Sequence, residues 1–224
     1  MTDVGSRSVG SVAKRVVLFE LRLYRSLLRW VFRRPAVPPD AVPFGYSQVV
    51  APVMWLWIFA SAAEMVVVHL ILPWPVVRIV VVVLSAWGLI WMVGFLASLK
   101  VHPHLVSDTA LRIRHGAAVD IAIPWASIAR VVAQRRDLPS SIRTLRFAAT
   151  TDGGRELQVA VSDQVNVRVV LKQEATVPTP KGDQDVTELS CWADDSRALV
   201  ALAREHLAAV AGQGWRLSTD HGDN

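Results

Sequence analysis

Cysteine is nearly absent: Cys191 stands alone in 224 residues. That excludes a disulfide framework within the chain and a thiolate metal site, and a buried, inert thiol is the expectation. Glycine-rich phosphate loops, a G-x-S-x-G elbow, HExxH and CxxC are missing too, and carboxylates such as Asp108, Asp163 and Asp183 fall where turns are expected. The chain is therefore read as non-enzymatic, with no cofactor. His102 and His104 have the spacing of two metal ligands, but no acidic or cysteine partner completes a set and Pro103 between them suits a linker, so no metal is expected. Charge of one sign is also lacking in the C-terminal half. Residues 100–224 carry fifteen Lys/Arg against fifteen acids, so the basic footprint of a nucleic-acid binder is missing there.

What is present is apolar. Hydrophobic residues make up 52% of the chain, above the usual globular mix. Two runs, 47–72 and 76–98, are each long enough to cross about 30 Å of hydrocarbon as a helix. Pro73, Trp74 and Pro75 leave room only for a tight turn, so 47–99 is predicted to be a transmembrane helical hairpin. The alternative, two buried helices of a soluble core, would need more apolar surface than the rest of the chain offers. The runs begin too far from the N-terminus for a cleaved signal peptide. Arg25, Arg29, Arg33 and Arg34 precede the first span, Lys100 follows the second, and the turn carries no charge. The positive-inside rule then predicts a multi-pass inner-membrane protein with both termini cytoplasmic.

Within the spans Glu64, His69 and Arg78 lie nearer the turn. Intramembrane ionisable groups are functional candidates. Arg78 is expected to reach toward Glu64 or, alternatively, the group contacts a partner helix. Small residues Ala60, Ser61, Ala63, Ser85, Gly88 and Gly94 permit close packing within the hairpin or between subunits of a homo-oligomer.

All of the excess positive charge sits in residues 1–46, with eight Lys/Arg against three acids. Residues 11–34 contain no Gly or Pro, and at about 100° per residue Arg15, Arg22, Ser26, Arg29 and Arg33 share one side of a helix. Val17, Leu21, Tyr24, Leu28 and Val31 share the other. Such a helix suits an interface rich in anionic lipid; packing on the protein's own domain or on a partner helix is the competing reading. Pro35, Pro38, Pro39 and Pro43 are expected to make a stiff linker to the first span.

After Lys100 the hydrophobic period changes to two. Strands are predicted at 111–114, 119–123, 129–134, 142–149, 156–161, 165–172 and 186–192, with Asp152-Gly153-Gly154 as a hairpin turn. Asp194-Asp195-Ser196 then caps a helix carrying Leu199, Leu202, Ala203, Leu207 and Val210 at helical spacing, with Gly212 as its stop and a flexible tail over 214–224. The fold class is α+β, a transmembrane hairpin plus a seven-stranded antiparallel domain over 100–213 that is expected to fold as an isolated fragment.

Seven strands and a closing helix, together with LVSDTALRIRHG at 105–116, IPWASIARV at 123–131, VNVRVVL at 165–171 and ELSCWADDSRALVALARE at 188–205, resemble the bacterial pleckstrin-homology-like domains that sit behind transmembrane hairpins. The resemblance implies a binding or assembly role with no catalytic residue to carry over. It also points to the first hairpin, where Arg112, Arg114 and His115 occupy the place at which phosphoinositide-binding members hold basic residues. An ordinary cross-strand pairing with Asp120 is the alternative there. The functional expectation is a membrane-anchored scaffold at the cytoplasmic face that recruits a protein partner or senses anionic lipid. The rival expectation is an accessory subunit of a transporter or envelope-synthesis complex acting through its hairpin.

Overall fold

The computed structural model of the chain describes residues 4–180 and 182–219, with side chains at residue 14 and over 17–212 apart from 181. The chain divides into two compact units. One comprises the chain up to Ala36, Val50–His102 and Gly116–Ala118; the other comprises Val37–Val49, Pro103–His115 and the chain from Val119.

The first unit is helical: α1 (Val4–Val31), α2 (Ala51–Ile71) and α3 (Pro75–Val101). Prolines sit at the first turns of α2 and α3, where no backbone N–H is lost from the helix. Both helices are long and apolar enough to cross a membrane. Their faces are bare: Leu56, Phe59, Leu70 and Ile79 are all more than 60% exposed, which excludes the reading of two helices buried in a soluble core. The first helix starts earlier than the predicted 11–34 and stops at Val31. Its end is a left-handed cap, with Arg33 at φ 52° and Arg34 N–H donating to Arg29 C=O at 2.8 Å.

α1 lies along α3, which the amphipathic pattern alone did not require. Leu23 and Ser26 are 1% exposed, and Leu23 fills the space that Gly94 leaves, since a Cβ there would stand 2.3 Å from Leu23 Cδ2. Trp87 Nε1 donates to Tyr24 Oη at 2.9 Å. The predicted basic side of the helix thus includes one buried member, Ser26, whose hydroxyl donates to Arg22 C=O. Of the apolar side, Val17, Leu21, Leu28 and Val31 remain exposed.

Among the described residues the second unit holds nine strands rather than the predicted seven. β1 (Ala41–Phe44), β2 (His104–Ser107), β3 (Ala110–His115) and β4 (Val119–Pro124) form an antiparallel meander. The two additional strands, β1 and β2, occupy segments read as linkers. Pro43 did not forbid a strand because β1 is the sheet's edge, where a missing N–H is tolerated. The second sheet has the order β5-β8-β9-β7-β6, from β5 (Ile128–Asp137), β6 (Leu145–Ala149), β7 (Arg155–Val159), β8 (Gln164–Thr179) and β9 (Gly182–Cys191). β7 and β9 run parallel, a correction to the all-antiparallel expectation. The hairpin β6–β7 turns at Gly153, φ 77°, as Asp152-Gly153-Gly154 predicted. Ile142, placed in a strand by the pattern, lies outside β6 and is fully exposed.

The core lies between the sheets: Leu111, Ile113, Ile121, Leu157, Val167, Val169 and Leu189 are at most 1% exposed. Trp125 joins it, its indole N–H donating to Ser107 C=O at 2.8 Å. Cys191 is buried and its thiol is pushed up to about 12 by that burial. α4 (Ser196–Thr219) closes the unit through Leu199, Val200 and Ala203. Gly212 does not stop it. Asp195 is the cap, accepting from Ala198 N–H at 2.9 Å. Asp194 has another role: its carboxylate accepts from Gln48 N–H and its own N–H donates to Gly45 C=O at 2.8 Å, tying down the segment after β1.

Candidate functional site: cationic clefts beside the hairpin

In the helical unit, α1 and the last residues of α3 enclose two clefts at the end of the hairpin opposite its turn. The smaller, about 240 Å3, is lined by Arg22, Arg25, Ser26, Arg29, His102 and Ala117. The larger, about 420 Å3, is lined by Arg29, Trp30, Val31, Arg33, Arg34, Pro35, Lys100 and Val101. Arg29 borders both. Helical spacing explains the first set, because residues three and four apart stand on one face; the left-handed cap explains the second. A glycine is usual at that cap. With Arg33 there instead, the turn carries a cation into the cleft at a backbone cost of about 1 kcal/mol.

No acidic residue lines either cleft. Among the described residues no ion pair reaches Arg22, Arg25, Arg29, Arg33 or Arg34. The larger cleft adds apolar wall from Trp30, Val31, Pro35 and Val101, and Lys100 Nζ stands 6.0 Å from the Trp30 ring centroid. Ser98 holds the site's edge: its hydroxyl accepts from Ala117 N–H at 2.9 Å, and its carbonyl oxygen lies 3.0 Å from His102 Nδ1. Chemically the pair of clefts suits an amphiphile with an anionic oxygen group: guanidinium donors on one side, apolar surface on the other.

Of the basic residues selected from the helical wheel, Arg22, Arg29 and Arg33 border these clefts, while the side chain of Arg15 lies outside the described residues. Arg25, Arg34, Lys100 and Trp30 were not selected as site residues. The wheel could not find Lys100, which belongs to another helix, or Arg34, which belongs to a turn, whereas Arg25 and Trp30 lie on α1 but outside the side it selected.

The first hairpin of the β unit is arranged differently. Arg112 makes two bonds to Asp120, at 3.1 and 2.8 Å. Arg114 is buried, with Nε 3.3 Å from the same carboxylate. His115 stacks on Tyr46 at 5.5 Å between ring centroids, and burial lowers its pKa to about 4. His104 is fully enclosed: Nδ1 accepts from Arg114 N–H at 3.0 Å and Nε2 donates to Trp192 C=O at 2.9 Å. Both nitrogens of His104 are therefore occupied, and burial lowers its pKa to about 4.

Glu64 and His69 are exposed on α2 and Arg78 is half-buried on α3. No ion pair joins Arg78 to Glu64, contrary to the expected reach. Among the described residues no group of three His, Cys, Asp or Glu is placed to hold a metal ion. No protein-family model, curated protein or solved structure matches the chain.

Proposed function

We propose that the chain is a non-catalytic module anchored in the inner membrane by its hairpin, with both termini cytoplasmic, that senses anionic phospholipid and presents a pleckstrin-homology-like binding domain for a protein partner. The observation that carries the lipid reading is the pair of adjoining clefts sharing Arg29, bordered by six cations and no acid. Their place at the basic end of two long apolar helices is where the positive-inside rule puts the anionic cytoplasmic leaflet. The polar cleft suits a headgroup phosphate, and the larger one suits its glycerol and first methylenes against Trp30 and Val31.

The pleckstrin-homology-like reading draws support from topology. β1–β4 form one antiparallel meander, β5-β8-β9 form a second, and α4 follows. Those are seven antiparallel strands and a closing helix, with the β6–β7 hairpin inserted after β5 and attached at the far edge of the second sheet. The rival reading, an accessory subunit acting through its hairpin, is favoured by the unpaired Glu64 and Arg78.

The test is calorimetric titration of the purified full chain, in neutral detergent, with short-chain phosphatidylglycerol, phosphatidylcholine and inorganic phosphate. Preference for phosphatidylglycerol over both others, lost on changing Arg22, Arg25, Arg29 and Arg33 together to Gln, is the expected result. Equal binding of the neutral lipid, or an unchanged affinity in the variant, would remove the lipid reading. Binding of free phosphate as tight as the lipid would assign the clefts to a soluble anion.

A further inference from the structure

One face of the hairpin is left open. Ser61, Glu64 and Val68 of α2 face Val81, Ser85 and Gly88 of α3 across a cleft of about 510 Å3. Among the described residues, a side chain at Gly88 would meet nothing within 4 Å. Positions 81, 85 and 88 alternate four and three apart, the spacing of a helix-packing seam, and Arg78 continues that seam toward the turn. Small residues at such a seam let another helix approach closely.

The seam also carries charge with no counterpart. Among the described residues neither Glu64 nor Arg78 has an ion-pair partner. Glu20 of α1 lines the same cleft, so its lining is acidic and its complement is a cation. In hydrocarbon both an exposed carboxylate and an exposed guanidinium are costly unless paired. Glu64 stands seven residues from the end of α2 and Arg78 three residues from the start of α3. At about 1.5 Å per residue they differ by roughly 6 Å in depth, a gap that an extended arginine side chain spans. His69 lies about 140° round α2 from Glu64 and is off this face.

We propose that this face is the interface of a symmetric homodimer, in which Glu64 of each copy meets Arg78 of the other. An unmatched acid on α2 and an unmatched base on α3, with Glu20 of α1 on the rim of the same cleft, let this face of the hairpin complement a second copy of itself. A two-fold axis along the membrane normal keeps both residues at their own depths and forms the contact twice. This rests on the membrane placement proposed above, and carbonate extraction of the same preparations tests that placement separately.

The experiment co-expresses two differently tagged full-length chains and measures co-purification from membranes in mild detergent. Wild-type copies are expected to associate, and E64Q or R78Q in both copies to weaken association roughly eightfold to three-hundredfold, because each substitution removes two interhelical polar contacts of the measured range. E64R paired with itself and R78E paired with itself should dissociate. E64R mixed with R78E should associate as the wild type does, because only the mixed pair restores opposite charges at both contacts. Wild-type copies that stay apart while fully membrane-embedded would overturn the proposal. So would a mixed pair no stronger than either parent, or unaltered association of E64Q and R78Q. Wild-type behaviour of a single chain carrying E64R and R78E, with no rescue in the mixed pair, would place the contact inside one chain and overturn it equally.

Discussion

The β unit and the helical unit use arginine in opposite ways. In the β unit Arg112 and Arg114 meet Asp120, Arg136 meets Glu156, Arg146 meets Asp163 and Arg168 meets Glu188. In the helical unit Arg22, Arg25, Arg29, Arg33 and Arg34 meet no carboxylate among the described residues. Strands set opposite charges on adjoining rungs, as with Arg114 opposite Asp120 and Arg168 close to Glu188. α1 has no acid between Lys14 and Arg34 except Glu20, which lines the cleft of the hairpin face instead. The same side chain therefore holds the fold together in one unit and is available to an external anion in the other.

The largest effect tests the boundary between the units. β1 precedes the hairpin in sequence yet pairs with β2, and Tyr46 is 1% exposed with its ring 4.7 Å from that of His104. A soluble chain of 37–49 joined by a short flexible linker to 103–212 should fold. The same chain without 37–49 should lose at least about 4 kcal/mol, the scale of emptying a large aromatic site, which is most of a small domain's stability. This revises the expectation that a fragment from residue 101 folds alone. Equal denaturant midpoints for the two chains would show that β1 is not part of the domain.

Acid comes next. His104 and His115 have pKa values lowered by burial to about 4, against about 6.5 when unfolded. A base with a depressed folded pKa contributes stability above its unfolded value and loses it as pH falls toward the folded one. Between pH 7 and pH 5 the β unit should lose up to about 2 kcal/mol per histidine, read as a falling thermal midpoint. His115→Phe should flatten that dependence, because the Nδ1 of His115 is buried without a hydrogen-bond partner and its removal leaves no donor stranded. A midpoint independent of pH over this window would mean that both rings open to water.

Much of this fold was legible in the sequence. The hairpin, the seven strands now labelled β3–β9, the Gly153 turn and the Asp195 cap all follow from local patterns: apolar run length, period-two alternation, turn residues and an acidic cap. β1 was hidden because Ala41-Val42-Pro43-Phe44 is four residues long and carries a proline, and its pairing with β2 reaches across the entire hairpin. The parallel β7–β9 contact was hidden for a related reason, since strand order depends on long-range pairing and not on periodicity. At the site, the wheel of α1 found Arg22 and Arg29 because they lie on one helix, and it found Arg33 although that residue sits in the cap past the helix end. Lys100 and Arg34 required the packing of α1 on α3 and the left-handed cap at Arg33.

A paired arginine should cost stability when its acid is removed. Burial pushes the Glu156 carboxyl up, but hydrogen bonds from Arg136, Ser190 and Gln158 outweigh that and hold it below the usual carboxylate range. Glu156→Gln keeps the shape and removes the charge. It should destabilise the β unit by roughly 2 kcal/mol, less than for a fully buried pair because the Arg136 side chain is 31% exposed. Chemical denaturation checks it, and a change under about 0.5 kcal/mol would mean that the pair is screened like a surface contact.

The smallest effect falls on the other side of the division and carries the functional claim. Arg29→Gln removes the cation that both clefts share, yet Arg29 has no carboxylate partner whose charge would be stranded. The thermal midpoint of the full chain should therefore stay within the scatter of ordinary surface substitutions, about 0.5 kcal/mol. Affinity for anionic vesicles should fall by about 1 kcal/mol, roughly fivefold, with little change on neutral vesicles. The difference between wild type and variant should shrink as salt is raised from 0.1 to 1 M, because the Debye length falls from about 10 to about 3 Å and the surface potential no longer reaches the cleft. Arg168→Gln should do the reverse: a lower midpoint, because it strands the buried Glu188, and unchanged vesicle binding. If the two variants instead changed stability and vesicle binding in parallel, the arginines of α1 would be structural like those of the sheets. The clefts would then have to be read as gaps in helix packing with no ligand of their own.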